Sequence, residues 1–429
     1  MRLPQEIYDL IIDHLHNDKL SLRSCALVSR GWAYRSQVHI FYFLILRDER
    51  LRCWLDTFSP SDQRIHSLTK CLMLTLPANS SPGEFTRFPA YASAFKNLRH
   101  LLINGRNSLH VSQQFPCIRW FGHLRNTLKS LELNSVAVNP CIIAAFPRLE
   151  FLSARCSRLP SAPDPDEGGA IHESDLHDAF KGTLEFDIYS WNSGAGLLAA
   201  FAACPLGYDT IRIDARAADG TASPLEAING LTSRCSDTLE VLDIKLRFEQ
   251  LCKSGPAQPR PHLPHTLPMS DVGLDLSPFR CLREISLALV IGHGLGTHLP
   301  RFSTITSGTV SKITFTAKLG SRAKELYSLF GAGCEWTGAD EDLLRLAEFQ
   351  GGNNGRRVEL VIDLRKVGLG QSHLSGRERK SLERNWWIQS ASKHVFPKFS
   401  QAGTIDFVLP PPVSGSVPYF PTGGVFTFV

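Results

Sequence analysis

The sequence predicts an α/β fold, in which a short helical domain precedes a long array of strand–helix units whose strands form one curved parallel sheet. Three observations lead to this prediction. Apolar residues near the amino terminus recur at helical spacing. Short segments of the form L-x-x-L-x-L then recur about every 20 to 45 residues. The stretches between them, such as FPAYASAF and EDLLRLAEF, have the apolar content of short helices.

The composition is that of a globular protein with several domains or one elongated array. The chain has 429 residues, of which 43% are hydrophobic and 20% charged. The formal net charge of +5 is spread over many residues and does not require a nucleic-acid partner. The 11 cysteines form no C-x-x-C pair and have apolar neighbours, so we expect reduced, buried thiols in a cytoplasmic or nuclear protein. No apolar run is long enough to span a membrane.

The first thirty residues contain two amphipathic helices. Ile7, Leu10, Ile11 and Leu15 form one apolar stripe, and Asp18 offers a helix cap. A second periodic run consists of Leu20, Leu22, Cys25, Leu27, Val28 and Trp32. Two helices this short cannot bury their own apolar faces, so they need the rest of the chain or a partner protein.

The stretch from Leu3 to Trp32 resembles an F-box, specifically the fungal F-box-like form. The shared features are Leu-Pro, Glu-Ile, a helix that ends in Leu, and a closing Val-Ser-Arg-Gly-Trp, with Ser29 at the position of the family's common Cys. F-box proteins are substrate receptors of Skp–cullin–F-box ubiquitin ligases. The resemblance implies a Skp-type adaptor site, in which some residues make contact and others hold the helices: Leu3, Pro4, Ile7, Leu22, Leu27, Val28 and Trp32. The alternative is a helical hairpin packed on its own domain.

The pattern predicts four regions. Residues 1–46 are the F-box-like domain, residues 47–64 a helical linker, residues 65–409 the repeat domain and residues 410–429 a Pro/Gly-rich tail. The apolar run from Val38 to Leu46 predicts a strand or buried segment, and the linker has helical spacing. GGNNGRR at Gly351 predicts a turn.

The repeat domain resembles the divergent leucine-rich repeats that are common behind F-boxes, which implies an irregular solenoid. Its predicted strands begin near the following residues: Leu68, Leu98, Leu128, Leu149, Leu184, Thr210, Leu239, Leu282, Ser311 and Val358. The alternative is a generic α/β domain with ordinary strands and helices.

Alternation along these strands predicts the surface that binds a target protein. Leu131 and Leu133 should face the core, so the residues between them should face outward. By the same count the candidate target-binding residues are Glu132, Asn134, Asp187, Tyr189, Arg212, Asp214, Asp243 and Lys245. The alternative is that they form only the solvated side of a sheet.

No catalytic motif was found, so neither an enzyme activity nor a cofactor is predicted. IGHGLGT at Ile291 lacks the third glycine of a dinucleotide loop, and His262 and His265 lack partners for a metal. The basic cluster from Gly376 to Trp387 favours a solvated helix face over RNA binding.

The sequence therefore predicts a non-enzymatic adaptor, with a Skp-type protein and through it a cullin on one side and an unknown protein target on the other. Two alternatives stay open. The chain could act in a cullin-independent complex, or it could bind nucleic acid through the basic cluster of residues 376–387.

Overall fold

The computed structural model shows a mixed α/β protein with a helical amino-terminal region. It describes residues 4–47, 49–76, 88–105, 117–140, 142–157, 159, 182–188, 191–204, 207–218, 224–249, 275–291, 309–319, 337–354, 359–363, 397–402, 404–408 and 426–428. The chain divides into two compact units, Met1–Glu185 and Phe186–Val429.

Helices of the first unit come in two groups. The amino-terminal region consists of α1 (Gln5–His14), α2 (Lys19–Val28) and α3 (Arg30–Tyr42). Helices that accompany the strands are α4 (Glu49–Thr57), α5 (Gln63–Leu68), α6 (Phe88–Ala92), α7 (Cys117–Phe121) and α8 (Ile142–Ala145).

Strands of the first unit pair in parallel and in chain order. They are β1 (Phe43–Arg47), β2 (Cys71–Leu76), β3 (His100–Gly105), β4 (Ser130–Asn134) and β5 (Phe151–Arg155), followed by β6 (Thr183–Ile188), which crosses the division between the units. The register aligns Leu72, Leu101, Leu131 and Leu152 in one buried row. Each such side chain contributes about 1.5–3 kcal/mol by leaving water. This row therefore fixes which face of the strands lies against the core.

The second unit repeats the same arrangement. Its strands are β7 (Thr210–Ala218), β8 (Val241–Glu249), β9 (Glu284–Ile291), β10 (Lys312–Leu319), β11 (Glu359–Asp363) and β12 (Thr404–Val408), parallel and in chain order, with β13 (Phe426–Phe428) antiparallel to β12. Its helices are α9 (Trp191–Ala202), α10 (Pro224–Ser233), α11 (Thr337–Asn354) and α12 (Phe399–Ala402). The buried row here consists of Ile211, Leu242, Ile285, Ile313, Leu360 and Ile405.

Every predicted leucine-rich segment contains one of the strands β2 to β11, so the α/β prediction is confirmed at that level. Two local predictions need correction. The run from Val38 to Leu46 is divided between α3 and β1, because the helix continues to Tyr42 before the chain becomes extended. The segment predicted to turn from Gly351 is helical as far as Asn354, where α11 ends.

The predicted linker packs into the first unit. Trp54 and Leu55 on α4 are buried, and the Tyr91 hydroxyl donates to the carbonyl oxygens of Leu55 and Phe58 at 2.8 and 2.7 Å. Strand β1, at the end of the predicted F-box-like domain, pairs with β2. The domain boundaries at residues 46 and 64 stay predictions.

None of the helices in the described part of the chain combines the length and the apolar character that crossing a membrane requires.

Candidate functional site

Side chains cap two of the amino-terminal helices, α2 and α3. The Asp18 carboxylate accepts hydrogen bonds from the backbone N–H groups of Leu20 and Ser21, both at 3.1 Å, and from the Ser21 hydroxyl at 2.6 Å. These bonds hold the pKa of Asp18 below its usual value, the Ser21 side chain having the largest effect. Ser29 caps α3 by accepting from the Trp32 N–H at 3.4 Å. The helix cap predicted at Asp18 is therefore confirmed, at the start of α2.

An ion pair joins α1 to α3. Arg35 donates from Nε and Nη2 to the two carboxylate oxygens of Asp13, each at 2.6 Å. His39 Nε2 lies 2.7 Å from Oδ1 of the same carboxylate. The hydrogen bond from Arg35 is the main reason that the pKa of Asp13 lies well below its usual range. The bidentate geometry fixes the orientation of the two helices as well as their distance.

Contacts in the first half of α1 join this helix to the start of α3, which carries the predicted adaptor residue Trp32. The Tyr8 and Trp32 rings have centroids 5.4 Å apart. Gln5 Oε1 lies 2.8 Å from the position that a Cβ on Gly31 would occupy, so the helices approach closely there. Leu27 and Val28 directly precede this contact in the chain, at the end of α2.

Apolar side chains on α1 and at the end of α2 are exposed to solvent. Leu27 is 88% exposed, Val28 64% and Leu10 57%. Ile7 and Ile11 are exposed on the same stripe of α1 as Leu10. We refer to Ile7, Leu10, Ile11, Leu27 and Val28 as the N-terminal apolar surface. The stripe predicted for α1 thus faces solvent.

The remaining predicted adaptor residues have different positions. Leu22 is completely buried and holds the helices together, whereas Trp32 is half-buried and Pro4 exposed. Pro4 lies at the N-cap position, just before the first helical turn in which the sequence placed it. Leu3 lies outside the described residues.

Further exposed apolar residues lie at the opposite end of α2 and α3. Leu20 is 74% exposed, and Tyr42 and Phe43 are also exposed. The Lys19 ammonium lies 6.0 Å from the centre of the Phe43 ring, which places the start of α2 beside the end of α3. Sequence reasoning placed Leu20 in a helix but did not predict its exposure, because periodicity identifies a face and not what covers it.

The predicted target-binding face of the first unit forms a polar network. Leu131 and Leu133 are buried, and Glu132 and Asn134 lie on the more exposed side, as predicted. Asn134 Nδ2 donates to Asn104 Oδ1 at 2.7 Å, on the neighbouring strand. On the next strands, Arg155 pairs with Glu185 at 2.9 Å.

The corresponding face of the second unit carries alternating charges. The register places Arg212 opposite Asp243 and Asp214 opposite Lys245. Lys245 Nζ lies 3.3 Å from Asp243 Oδ2. Asp187 is half-buried on β6, and Tyr189 lies outside the described residues. The four residues on β7 and β8 therefore lie together on neighbouring strands, in a cluster whose charges balance. Their role in binding a target stays a prediction.

Neither the protein-family models nor the curated proteins contain a match to this chain.

The described side chains were also compared with the requirements of a metal site. Within the described ranges, no three His, Cys, Asp or Glu side chains are grouped so as to hold a metal ion. Residues 292–297 of the glycine-containing segment, His262 and His265, and the basic cluster of residues 376–387 lie outside those ranges. The F-box and leucine-rich-repeat assignments therefore stay predictions from sequence, and the N-terminal apolar surface is the strongest candidate site.

Proposed function

We propose that this protein is a substrate-receptor adaptor of a Skp–cullin–F-box-type ubiquitin ligase. The observation that carries the proposal is the N-terminal apolar surface. Side chains cap α2 and α3, and the ion pair of Asp13 and Arg35 joins α1 to α3, yet Leu27 and Val28 face water. A folded helical element with an unburied apolar stripe has the properties of a helix-in-groove interface.

In this proposal the adaptor binds the N-terminal apolar surface together with Pro4 and Trp32, while Leu22 supports the helices from inside. Full burial of a side chain such as Leu27 would contribute about 1.5–3 kcal/mol. The ordered parallel strands would form a leucine-rich-repeat-like solenoid, and their polar outward face would hold the target protein. Ubiquitin transfer would then result from proximity to an enzyme recruited through the cullin. The expected location is cytoplasmic or nuclear.

Co-expression with a Skp-type adaptor, followed by size-exclusion chromatography, tests this proposal. The variant is Leu27→Asp, which should leave the fold intact because Leu27 is 88% exposed. The matched control is Leu20→Asp, the same substitution on the same helix at a residue that is 74% exposed and lies at the opposite end. We expect a co-eluting complex for the wild type and for Leu20→Asp, and none for Leu27→Asp.

A wild-type chain that elutes alone contradicts the proposal, and so does a complex that Leu27→Asp retains. If both variants fail to co-elute with the adaptor, binding requires the whole apolar side of α2. The assignment of the adaptor site to the end of α2 that carries Leu27 would then be wrong. Cullin co-purification separates the ligase receptor from a cullin-independent complex.

A further inference from the structure

Three cations stand side by side at the amino-terminal edge of the strands in the first unit. The backbone N–H of Arg99 donates to the Lys70 carbonyl at 2.8 Å, and the N–H of Lys129 donates to the Arg99 carbonyl at 2.8 Å. These bonds place the three residues at one level on successive chain segments, where parallel strands are about 4.8 Å apart. We call Lys70, Arg99 and Lys129 the basic edge.

Two of the three cations of the basic edge have no acidic partner among the described residues, and the third is paired with Glu150, the next residue in the same row. Lys129 pairs with Glu150 at 2.5 Å. Within the described residues, neither Lys70 nor Arg99 has a carboxylate at ion-pair distance, and Arg99 is exposed. Burial lowers the pKa of Lys70, and so, to a smaller extent, does the nearby charge of Arg99. The two cations therefore repel each other electrostatically. Further exposed cations flank this edge, namely Lys96, Arg125 and Arg148.

The second unit shows that the architecture does not require such an accumulation of charge. The same backbone pattern there links Asp209, Glu240 and Arg283, with donor–acceptor distances of 2.7 and 2.8 Å. Arg283 pairs with Glu240 at 3.5 Å, and Arg280 lies 3.8 Å from Asp237. Acidic and basic residues therefore compensate each other at that edge, which makes the charge of the first unit a specific feature of its sequence.

We propose that the basic edge binds an acidic helical segment of a partner protein. Carboxylates three or four residues apart on a helix are about 5–6 Å from each other, close to the spacing of the three cations. Single-stranded nucleic acid would instead need a series of exposed rings for stacking. At this level of the described strands Tyr42, whose carbonyl accepts from the Lys70 N–H at 3.0 Å, borders the cations. In the adjoining row the rings of Phe43, His100 and Phe151 are separated by Cys71 and Ser130, so they do not form a continuous stacking series. The proposed receptor function does not say what kind of target is bound, and the basic edge would supply that class of target. In this respect the proposal rests on the proposed receptor function.

Fluorescence anisotropy with the full chain tests this proposal. The probe is a fluorescein-labelled helical peptide with Glu at positions i, i+4 and i+7 of one face, and a short single-stranded RNA is measured in parallel. The variant is Arg99→Glu, and the matched control is Arg280→Glu, the same charge change at an exposed arginine of the second unit. We expect peptide binding that weakens with salt and falls about tenfold in Arg99→Glu, with the control equal to wild type.

Leu27→Asp should no longer bind the Skp-type adaptor but should still bind the peptide. The two experiments therefore distinguish a wrong assignment of the basic edge from a wrong assignment of the receptor function. The proposal is overturned if the peptide does not bind saturably, or if Arg99→Glu and Arg280→Glu weaken its binding equally. It is also overturned if the RNA binds more tightly than the peptide and Arg99→Glu removes that binding, because the occupant would then be nucleic acid.

Discussion

Asp13 shows how a partly exposed side chain can organise a small helical region. Its carboxylate accepts two hydrogen bonds from Arg35 and lies beside His39, so one residue of α1 contacts two successive turns of α3. Ion pairs at a surface are usually weak, but bidentate geometry makes this pair more effective than most.

Asp13→Asn should lower the stability of the amino-terminal helices by about 1 kcal/mol, because the neutral amide cannot accept from both Arg35 nitrogens as a carboxylate does. The measurement is the rate of backbone hydrogen exchange in peptides that cover α1 to α3. Glu6→Gln removes the same charge from an exposed position of α1 and serves as the control. Equal exchange in the two variants would contradict the assigned role.

The same ion pair predicts an acid dependence. Since the pKa of Asp13 is held below its usual range mainly by the Arg35 hydrogen bond, the stabilisation is fully present above the unfolded-state pKa of about 4. It is lost as the pH falls further toward the folded-state pKa. The stability difference between wild type and Asp13→Asn, followed by urea unfolding, should therefore shrink from pH 7 to pH 2. A constant difference would rule out this origin.

His66 is buried in an aromatic cluster and should also make stability depend on pH. Its ring lies 5.0 Å from that of Phe95 and 5.9 Å from that of Trp54, and its Nδ1 is 2.8 Å from the Asp62 carbonyl oxygen. Burial lowers the pKa of His66, so the unfolded chain takes up a proton first as the pH falls below about 6.5. Stability should decrease from pH 7.5 to pH 5, and less so in His66→Phe. His14→Gln, at an exposed position of α1, should behave like wild type.

At the scale of secondary structure, the close approach of α9 to β6 depends on one glycine. A Cβ on Gly194 would lie 2.1 Å from Ile188 Cγ2, far inside van der Waals contact. Gly230 on α10 has nothing within 4 Å of the corresponding position. The two helices therefore contain glycine for different reasons, one of them steric.

Gly194→Ala should destabilise the protein by about 1–3 kcal/mol, because either the helix or Ile188 must move. Gly230→Ala is the matched control and should stabilise by up to about 1 kcal/mol through higher helix propensity. Urea unfolding followed by circular dichroism measures both. Equal effects of the two substitutions would show that α9 does not approach β6 as closely as described.

At the scale of the whole molecule, the cysteines differ widely in environment, which corrects the expectation that they are uniformly buried. Cys53 and Cys156 are exposed, whereas Cys235 is buried among the residues described, and none of the three forms a disulfide within the described part of the chain. Burial raises the pKa of Cys235 to about 11. A thiol reacts as its thiolate. Burial therefore reduces the reactivity of Cys235 both by blocking access to the sulfur and by lowering the fraction of thiolate.

Iodoacetamide should therefore label native Cys53 and Cys156 within minutes and Cys235 only after denaturation. Mass spectrometry of the labelled peptides checks this at pH 8, with the urea-unfolded chain as the reference. Rapid labelling of native Cys235 would contradict the packing around α10.

The sequence predicted the strands well where leucines alternate and less well elsewhere. Phe43–Arg47 was merged with the end of α3 because no polar residue separates helix from strand, and Thr404–Val408 was missed because it lacks the leucine pattern. The basic edge could not be predicted, since its residues are about thirty positions apart and only strand register aligns them. The exposure of Leu27 required the structure, because spacing does not show whether a stripe is covered.

The pairing of each strand in the first unit with its predecessor in the chain has a consequence for biosynthesis. Each pairing from β2 to β5 uses only residues that the ribosome has already made, so the nascent sheet can grow one strand at a time. An added or lost connecting residue changes the length of one crossover and leaves the hydrogen-bond register of the other strands unchanged. Such a topology allows lineages to lengthen or shorten the segments between strands while keeping the sheet.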